Sequence, residues 1–115
     1  MRLKSAIFVA AVVRTANGAG AFAAVRRRGA EEAGAVFVKV STLDGCAALY
    51  GPAPQSAFDE AFPADRLFRL LVQPGRPESE SEARMEKELR FDPDLWFVEI
   101  EDREGRSFVD VAHGE

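Results

Sequence analysis

Residues 35–50 read AVFVKVSTLDGCAALY, and they carry the clearest structural signal in the chain. Valines occupy every second position from 36 to 40, with Phe37 and Lys39 between them, which is the two-residue period of a β-strand. Residues 42–45, Thr-Leu-Asp-Gly, suit a type I turn followed by a left-handed glycine, and residues 47–50 return as the partner strand. The sequence therefore predicts a β-hairpin here.

Further strands are predicted on both sides of this hairpin. Each is a short segment that is either apolar throughout or alternates apolar and polar residues, and each is bounded by glycine or proline. The three segments are residues 21–28, 67–72 and 95–101. Alternation places Trp96 on the buried face of the last segment. The turn at residues 102–105 repeats the chemistry of the first hairpin, so residues 106–111 are expected to pair back as a final strand.

The N-terminal segment has the spacing of a helix. Residues recur on one side of this helix at Leu3, Ile7, Ala10, Val13 and Asn17, of which all but Asn17 are apolar. Glycines at 18 and 20 follow as stop signals. The β-branched residues of the same run favour a strand, and that alternative stays open.

A second helix is predicted from residue 78 to residue 90. Pro77 suits its first turn, acidic residues lie early, and basic residues lie late. Its apolar stripe is thin, because only Met85 and Leu89, helped by Phe91, recur at the right spacing. We therefore expect this helix to lie over one edge of the sheet with most of its surface in water.

These elements follow the order α-β-β-β-β-α-β-β. The predicted fold is α+β, with a mainly antiparallel sheet of about six strands that carries two helices on one face. At 115 residues the chain is expected to form a single domain, 1–115. The sequence Gly-Pro-Ala-Pro opens a predicted loop excursion over residues 51–65, and residues 112–115 are expected to fray.

Charge, cysteine content and the N-terminal apolar run indicate which partners and which compartment to expect. Residues 1–40 carry a net charge of +5 and residues 41–115 a net charge of −9, which sum to −4 and argue against general nucleic-acid binding. Cys46 is the only cysteine, so no intramolecular disulfide can form and a cytoplasmic location is expected. The apolar run 6–13 is too short to span a membrane, and Arg14 ends it, which argues against a secretory signal.

Four strings resemble a small bacterial family known only as domain of unknown function 1491. They are Arg27-Arg28-Gly29, Thr42-Leu43-Asp44-Gly45, Phe91-Asp92-Pro93-Asp94-Leu95-Trp96 and Val98-Glu99-Ile100-Glu101-Asp102-Arg103. The likeness runs from about residue 3 to residue 110, with Phe8 at a position where the family tends to carry Trp. The resemblance implies no activity, cofactor or site residue.

The strongest charged feature is the run Arg26, Arg27 and Arg28, because guanidinium groups bind phosphate or carboxylate through forked hydrogen bonds. Alternation places Arg26 and Arg28 on one face of the strand and Arg27 on the other. Lys39 and Arg14 could join them, which gives a candidate anion-binding set of Arg26, Arg28, Lys39 and Arg14. The alternative is a solvated strand end whose arginines pair with Glu31 and Glu32.

Signals for metal binding and catalysis are weak. The acidic residues 99–104 lack the ligand spacing of an EF-hand, so a solvated face is favoured and neither a metal nor another cofactor is predicted. His113 lies near the C-terminus and is a poor candidate for a general base, and Cys46 has no neighbouring base in the sequence. The absence of a known catalytic motif disfavours an enzyme, although chemistry with carboxylates or arginine alone stays open.

Two functions follow from these observations. The first is a small non-catalytic interaction module that binds an unknown protein or a second copy. It rests on five apolar residues that exceed what one sheet face can bury: Phe37, Leu49, Phe58, Phe62 and Phe97. The second is an anion-binding or small-molecule site, for phosphate or nucleic acid, around Arg26, Arg27 and Arg28.

Overall fold

A computed structural model describes residues 3–54 and 66–112, which form two helices and five strands. In chain order they are α1 (Ser5–Gly18), β1 (Phe22–Arg27), β2 (Val36–Ser41), β3 (Cys46–Pro52), β4 (Phe68–Pro77), α2 (Glu78–Phe91) and β5 (Trp96–Glu101). The α+β class is confirmed, with five strands in the described residues rather than the expected six. Residues 1–2, 55–65 and 113–115 lie outside this description, and with them Phe58, Phe62, His113 and most of the predicted loop.

The five strands form one sheet in the order β1-β5-β2-β3-β4. The hairpin of β2 and β3 is confirmed, and β5 lies between β1 and β2, antiparallel to β1 and parallel to β2. The predicted final strand at residues 106–111 is wrong, because β1 and β2 already occupy both edges of β5. That segment crosses to the far side of the sheet, where Val111 forms an isolated parallel bridge with Phe68.

The glycines of both predicted turns have the expected left-handed backbone. Gly45 has φ 89° and Gly105 has φ 74°. Leu43 also has a positive φ, of 65°, which a type I turn does not allow. The first turn is therefore not the predicted type I turn, although its position is correct.

The two helices lie on opposite faces of the sheet, and the prediction of one shared face is wrong. Successive residues of a strand point to opposite faces, and β5 is apolar on both. Trp96 and Val98 belong to the core beneath α1, whereas Phe97 belongs to a second core with Met85 of α2. A central strand with large apolar side chains on both faces needs cover on both.

Helix α1 is confirmed as a helix, but it buries a different stripe from the predicted one. Its buried residues are Ser5, Val9, Val12 and Ala16, and Phe8 stacks on Phe68 with ring centroids 5.8 Å apart. The predicted stripe is instead mostly exposed, Leu3 by 50% and Ile7 by 52%. Because α1 is apolar on nearly every side, helical periodicity fits either stripe equally well.

Strand β4 continues to Pro77 instead of ending at residues 74–75, because two irregularities in its pairing with β3 absorb the extra residues. Helix α2 follows directly, with Met85 buried and Leu89 half-buried beneath it. Phe91 is 79% exposed, so it does not help to anchor the helix as expected. Neither described helix has the length and apolar character that would let it cross a membrane.

Candidate functional site

The densest group of charges lies between the sheet and α2, and we call it the charged cluster. It contains two cations and three carboxylates: Arg26 on β1, Lys39 on β2, Glu99 on β5, and Glu78 and Glu82 on α2. Strand register brings the sheet members together, because Lys39 is the direct neighbour of Glu99 in the parallel pair of β2 and β5.

Lys39 lies at the centre of this cluster, with only 4% of its side chain exposed. Its Nζ lies 2.8 Å from Glu78 Oε1, 2.6 Å from Glu82 Oε2 and 3.4 Å from Glu99 Oε2. Burial lowers the pKa of Lys39, but the hydrogen bonds to Glu78 and Glu82 and the nearby negative charges outweigh it and raise this pKa overall. Lys39 is therefore a buried, fully paired cation.

Arg26 binds the same helix from the edge strand. Its Nη1 and Nη2 donate to the two carboxylate oxygens of Glu82 at 2.7 and 3.0 Å, and Nη1 also donates to Glu99 at 3.0 Å. The hydrogen bond from Arg26, together with that from Lys39, lowers the pKa of Glu82 to about 2. Three carboxylates surround two cations, so the cluster presents a net negative charge and fastens α2 to the sheet.

The predicted partnership of Arg26 and Arg28 is wrong. The pairing of β1 with β5 shifts by one residue between Val25 and Arg27, which is a β-bulge, and alternation is lost at that point. Arg26 lies over the ring of Phe97 on the α2 face, with 4.6 Å from Cζ to the ring centroid. Arg28 lies over the ring of Trp96 on the other face, at 5.0 Å.

The remaining basic candidates are also dispersed. Arg27 donates to the carbonyl of Pro93 at 2.7 Å, and Arg14 is exposed on α1, far along the chain from the cluster. Of the predicted set, the structure brings together Arg26 and Lys39 and separates Arg28 and Arg14 from them. Anion binding stays a prediction, but the two cations that do converge already bind carboxylates, which would repel an added anion.

The acidic residues near the end of β5 do not form a cation site. Asp102 is buried and accepts hydrogen bonds from the Arg106 side chain at 2.9 and 3.0 Å and from its backbone N–H at 2.8 Å. These bonds lower the pKa of Asp102 to about 2. Within residues 3–54 and 66–112, no three His, Cys, Asp or Glu residues are arranged to hold a metal ion.

Three of the apolar residues that suggested an interaction surface are buried in the second core. Phe37, Leu49 and Phe97 are at most 6% exposed, because α2 covers the sheet face that the sequence left open. Leu3 and Ile7 on the outer face of α1 are exposed instead. The outer face of α1 is formed by Ile7, Ala10 and Arg14, with Leu3 directly before the helix, and it points away from the sheet.

One residue of each edge strand is already bonded by a segment outside the sheet. At the β1 edge, Asn17 Oδ1 accepts from the N–H of Ala23 at 2.8 Å, and Asn17 Nδ2 donates to the Ala23 carbonyl at 3.4 Å. At the β4 edge, the N–H of Phe68 donates to the Asp110 carbonyl at 2.9 Å, and the Phe68 carbonyl accepts from the N–H of Ala112 at 2.7 Å. These bonds cover part of each edge.

Sequence reasoning missed the partners of the central charges. The sequence suggested Glu31 and Glu32 as partners of the arginine run, whereas Arg26 binds Glu82 and Glu99. Glu78 of α2 binds Lys39. Glu78 and Glu82 are four residues apart and so share one side of a helix, which was a readable signal. What the sequence did not reveal was which sheet face that side of α2 covers.

The chain resembles proteins whose structures have been solved. The solution structure of protein Atu0922 from A. tumefaciens is 45% identical, covers 100% of this chain and 98% of its own, and has a TM-score of 0.84. A crystal structure and an NMR structure of a DUF1491 family protein from Caulobacter crescentus CB15 are each 40% identical over 98% of this chain, with TM-scores of 0.80 and 0.79. They cover 100% and 99% of that protein.

A family comparison agrees with these structural matches. The model described as protein of unknown function (DUF1491) matches residues 3–110. No curated protein matches the chain.

Proposed function

This chain belongs to the DUF1491 family, whose function is unknown, and from that premise we propose that it is a non-catalytic interaction module that binds a protein through the outer face of α1. The proposed partner is another protein or a second copy, and the proposed compartment is the cytoplasm. The cytoplasmic location is supported by the single cysteine, Cys46, which leaves the fold without any need for oxidation.

The observation that carries this proposal is the exposure of large apolar side chains on the outer face of α1. Leu3 is 50% exposed and Ile7 is 52% exposed, and the exposed Ala10 continues the stripe. A helix that is apolar on both sides is typical of a helix packed between two partners, and here the sheet supplies only one of them. Exposed apolar side chains grouped on one element are typical of a protein-binding surface.

The charged cluster supports the non-catalytic part of the proposal. Its five side chains bind one another, and the central cation, Lys39, is only 4% exposed and already lies within 3.4 Å of three carboxylates. Its position between β2 and α2 gives it a structural role, because it joins the helix to the sheet.

Site-specific photo-crosslinking in cells tests the binding surface. A benzophenone amino acid replaces Ile7 in one variant and the exposed Lys87 of α2 in a matched control. We expect adducts of defined mass from position 7 and none from position 87, because Ile7 belongs to the exposed apolar stripe of α1, whereas Lys87 lies between two acidic residues of α2.

Two results would contradict the proposal. One is a lack of adducts from position 7 above the level of the unirradiated sample. The other is an equal set of adducts from both positions, which would indicate random encounters. In each case the variants must be folded, which far-ultraviolet circular dichroism checks.

A further inference from the structure

Resting on the proposed function above, we propose that the occupant of the outer face of α1 is a second copy of this chain, with the two α1 helices antiparallel about a two-fold axis near Ala10. A two-fold axis requires a surface that is complementary to itself, and the outer face of α1 has this property in its shape and in its charge.

The shape follows from the spacing of the outer residues. Within the helix, Ile7, Ala10 and Arg14 are separated by three and four positions, which is the spacing of the contact positions in paired helices. Ala10 lies at the middle of the stripe, and a small side chain there allows the closest approach of two helices. Ile7 of each copy would then lie beside Val13 of the other.

Charge complementarity selects the antiparallel arrangement. The N-terminus of α1 is capped by the loop before β2, because the N–H of Ala6 donates to the Glu31 carbonyl at 2.9 Å and that of Ser5 to the Glu32 carbonyl at 3.0 Å. Two exposed carboxylates, those of Glu31 and Glu32, therefore lie near this end of the helix. Two described cations lie there as well: Lys4, whose Nζ lies 3.8 Å from Glu32, and the buried Arg66, which donates to the Leu3 carbonyl at 2.8 Å.

Arg14 lies about 12 Å further along the helix, eight residues from Ala6 at a rise of about 1.5 Å per residue. Neither the Arg14 guanidinium nor the Glu31 carboxylate forms a hydrogen bond or ion pair with any other described residue. Antiparallel pairing about Ala10 places Arg14 of each copy beside Ala6 of the other, next to Glu31. The dimer therefore contains two equivalent Arg14 to Glu31 pairs that one copy cannot form.

The sheet edges favour this helical contact over the usual alternative of strand pairing. Asn17 occupies the backbone groups of Ala23 at the β1 edge, and residues 110–112 occupy those of Phe68 at the β4 edge. Strand pairing that includes Ala23 or Phe68 would first have to break these bonds.

The contact of one helix face is small, so the dimer should be weak. Interfaces below about 1,200 Å² are typical of transient complexes, and we expect a dissociation constant on the order of 100 µM. Since two of its contacts are exposed ion pairs, dimerisation should weaken as salt concentration rises.

Sedimentation equilibrium on the full chain, at up to about 1 mM protein and low salt, tests the arrangement by charge reversal. Arg14→Glu and Glu31→Arg should each weaken dimerisation about tenfold or more, because each places like charges together twice. The double variant should recover most of the loss. Lys87→Glu on α2 changes the charge as Arg14→Glu does and should leave the dissociation constant unchanged.

A second measurement checks the axis without relying on the charges. In a Cys46→Ala background, Ala10→Cys should form an interchain disulfide on mild oxidation, whereas Lys87→Cys should not. A protein that stays monomeric at every concentration would overturn the inference. So would a dimer that Ile7→Lys and both charge reversals leave intact.

These outcomes separate the inference from the function on which it rests. Photo-crosslinks from position 7 to a different protein, together with a monomer in sedimentation, would retain the interaction surface and reject the second copy. A lack of adducts from position 7, together with a dimer whose dissociation constant Ile7→Lys does not change, would reject both the interaction surface and the second copy on it.

Discussion

Lys39→Met tests whether the charged cluster holds α2 on the sheet. Methionine keeps most of the length and volume of the lysine stem but removes the charge, so packing changes little. Glu78, Glu82 and Glu99 then share a single cation, Arg26, and the charge of this partly buried site changes from −1 to −2.

The expected loss follows from the burial of the partners. Removing one member of a buried ion pair costs about 3–5 kcal/mol, and exposed pairs contribute about 0–1 kcal/mol. Lys39 is 4% exposed, but Glu78 and Glu82 are each 37% exposed, so we expect a loss of about 2–3 kcal/mol. For a chain of this length, that corresponds to a decrease of about 8–12 °C in Tm.

Urea denaturation at several pH values is the assay. The folded-state pKa of Glu82 is about 2, below its ordinary value of 4.5, so its ionisation stabilises the protein fully above about pH 5. That contribution is lost as the pH falls towards 2. Part of it depends on Lys39, so the difference between wild type and Lys39→Met should shrink over the same range.

A matched variant keeps this test specific. Lys87→Met removes an exposed lysine from the same helix and should change the free energy of unfolding by less than about 0.5 kcal/mol. If Lys39→Met were as stable as Lys87→Met at pH 7, the cluster would not hold α2. If its deficit stayed constant down to pH 2, packing and not charge would explain the loss.

Three further substitutions test the fold by denaturant titration. Trp96→Ala should cost about 3–5 kcal/mol because the indole is 1% exposed, and a loss below about 1 kcal/mol would contradict its burial. Gly29→Ala should cost about 2 kcal/mol or more, since its Cβ would overlap the carbonyl of Asp94, whereas Gly18→Ala has open space and should change stability by less than about 1 kcal/mol. Gly45→Val should cost about 1–2 kcal/mol because a β-branched residue resists φ of 89°, and unchanged stability would indicate that the turn adopts another conformation.

The parts of the fold that the sequence predicted are those with a local cause. The hairpin of β2 and β3 depends on alternation and on Gly45, and both can be read from sixteen consecutive residues. Helix α2 begins directly after Pro77 for reasons contained in its own first turn. The burial of Trp96 followed from the alternation of β5 alone.

The errors concern relations between distant segments. The strand predicted at residues 106–111 cannot pair with β5, because β5 lies between β1 and β2 and has no free edge. Nothing in residues 95–111 shows that β5 occupies this position. The bulge at Val25 and Arg27 separates Arg26 from Arg28, and it exists only relative to the partner strand. The sequence did not predict the second core, because it does not show that α2 covers the sheet face that carries Phe37 and Phe97.

The sequence does not reveal what the three guanidinium groups of the arginine run contact, but in the fold each of them has a partner. Arg26 binds Glu82, Arg27 binds the Pro93 carbonyl, and Arg28 covers the ring of Trp96. The exposed apolar side chains of α1, in contrast, have no partner among the described residues. Ile7 is as apolar as the residues that α1 buries, yet it contacts water over half its surface, and nothing within the described chain accounts for it. A residue that the fold does not explain is the better starting point for function, which is why both proposals begin at the outer face of α1.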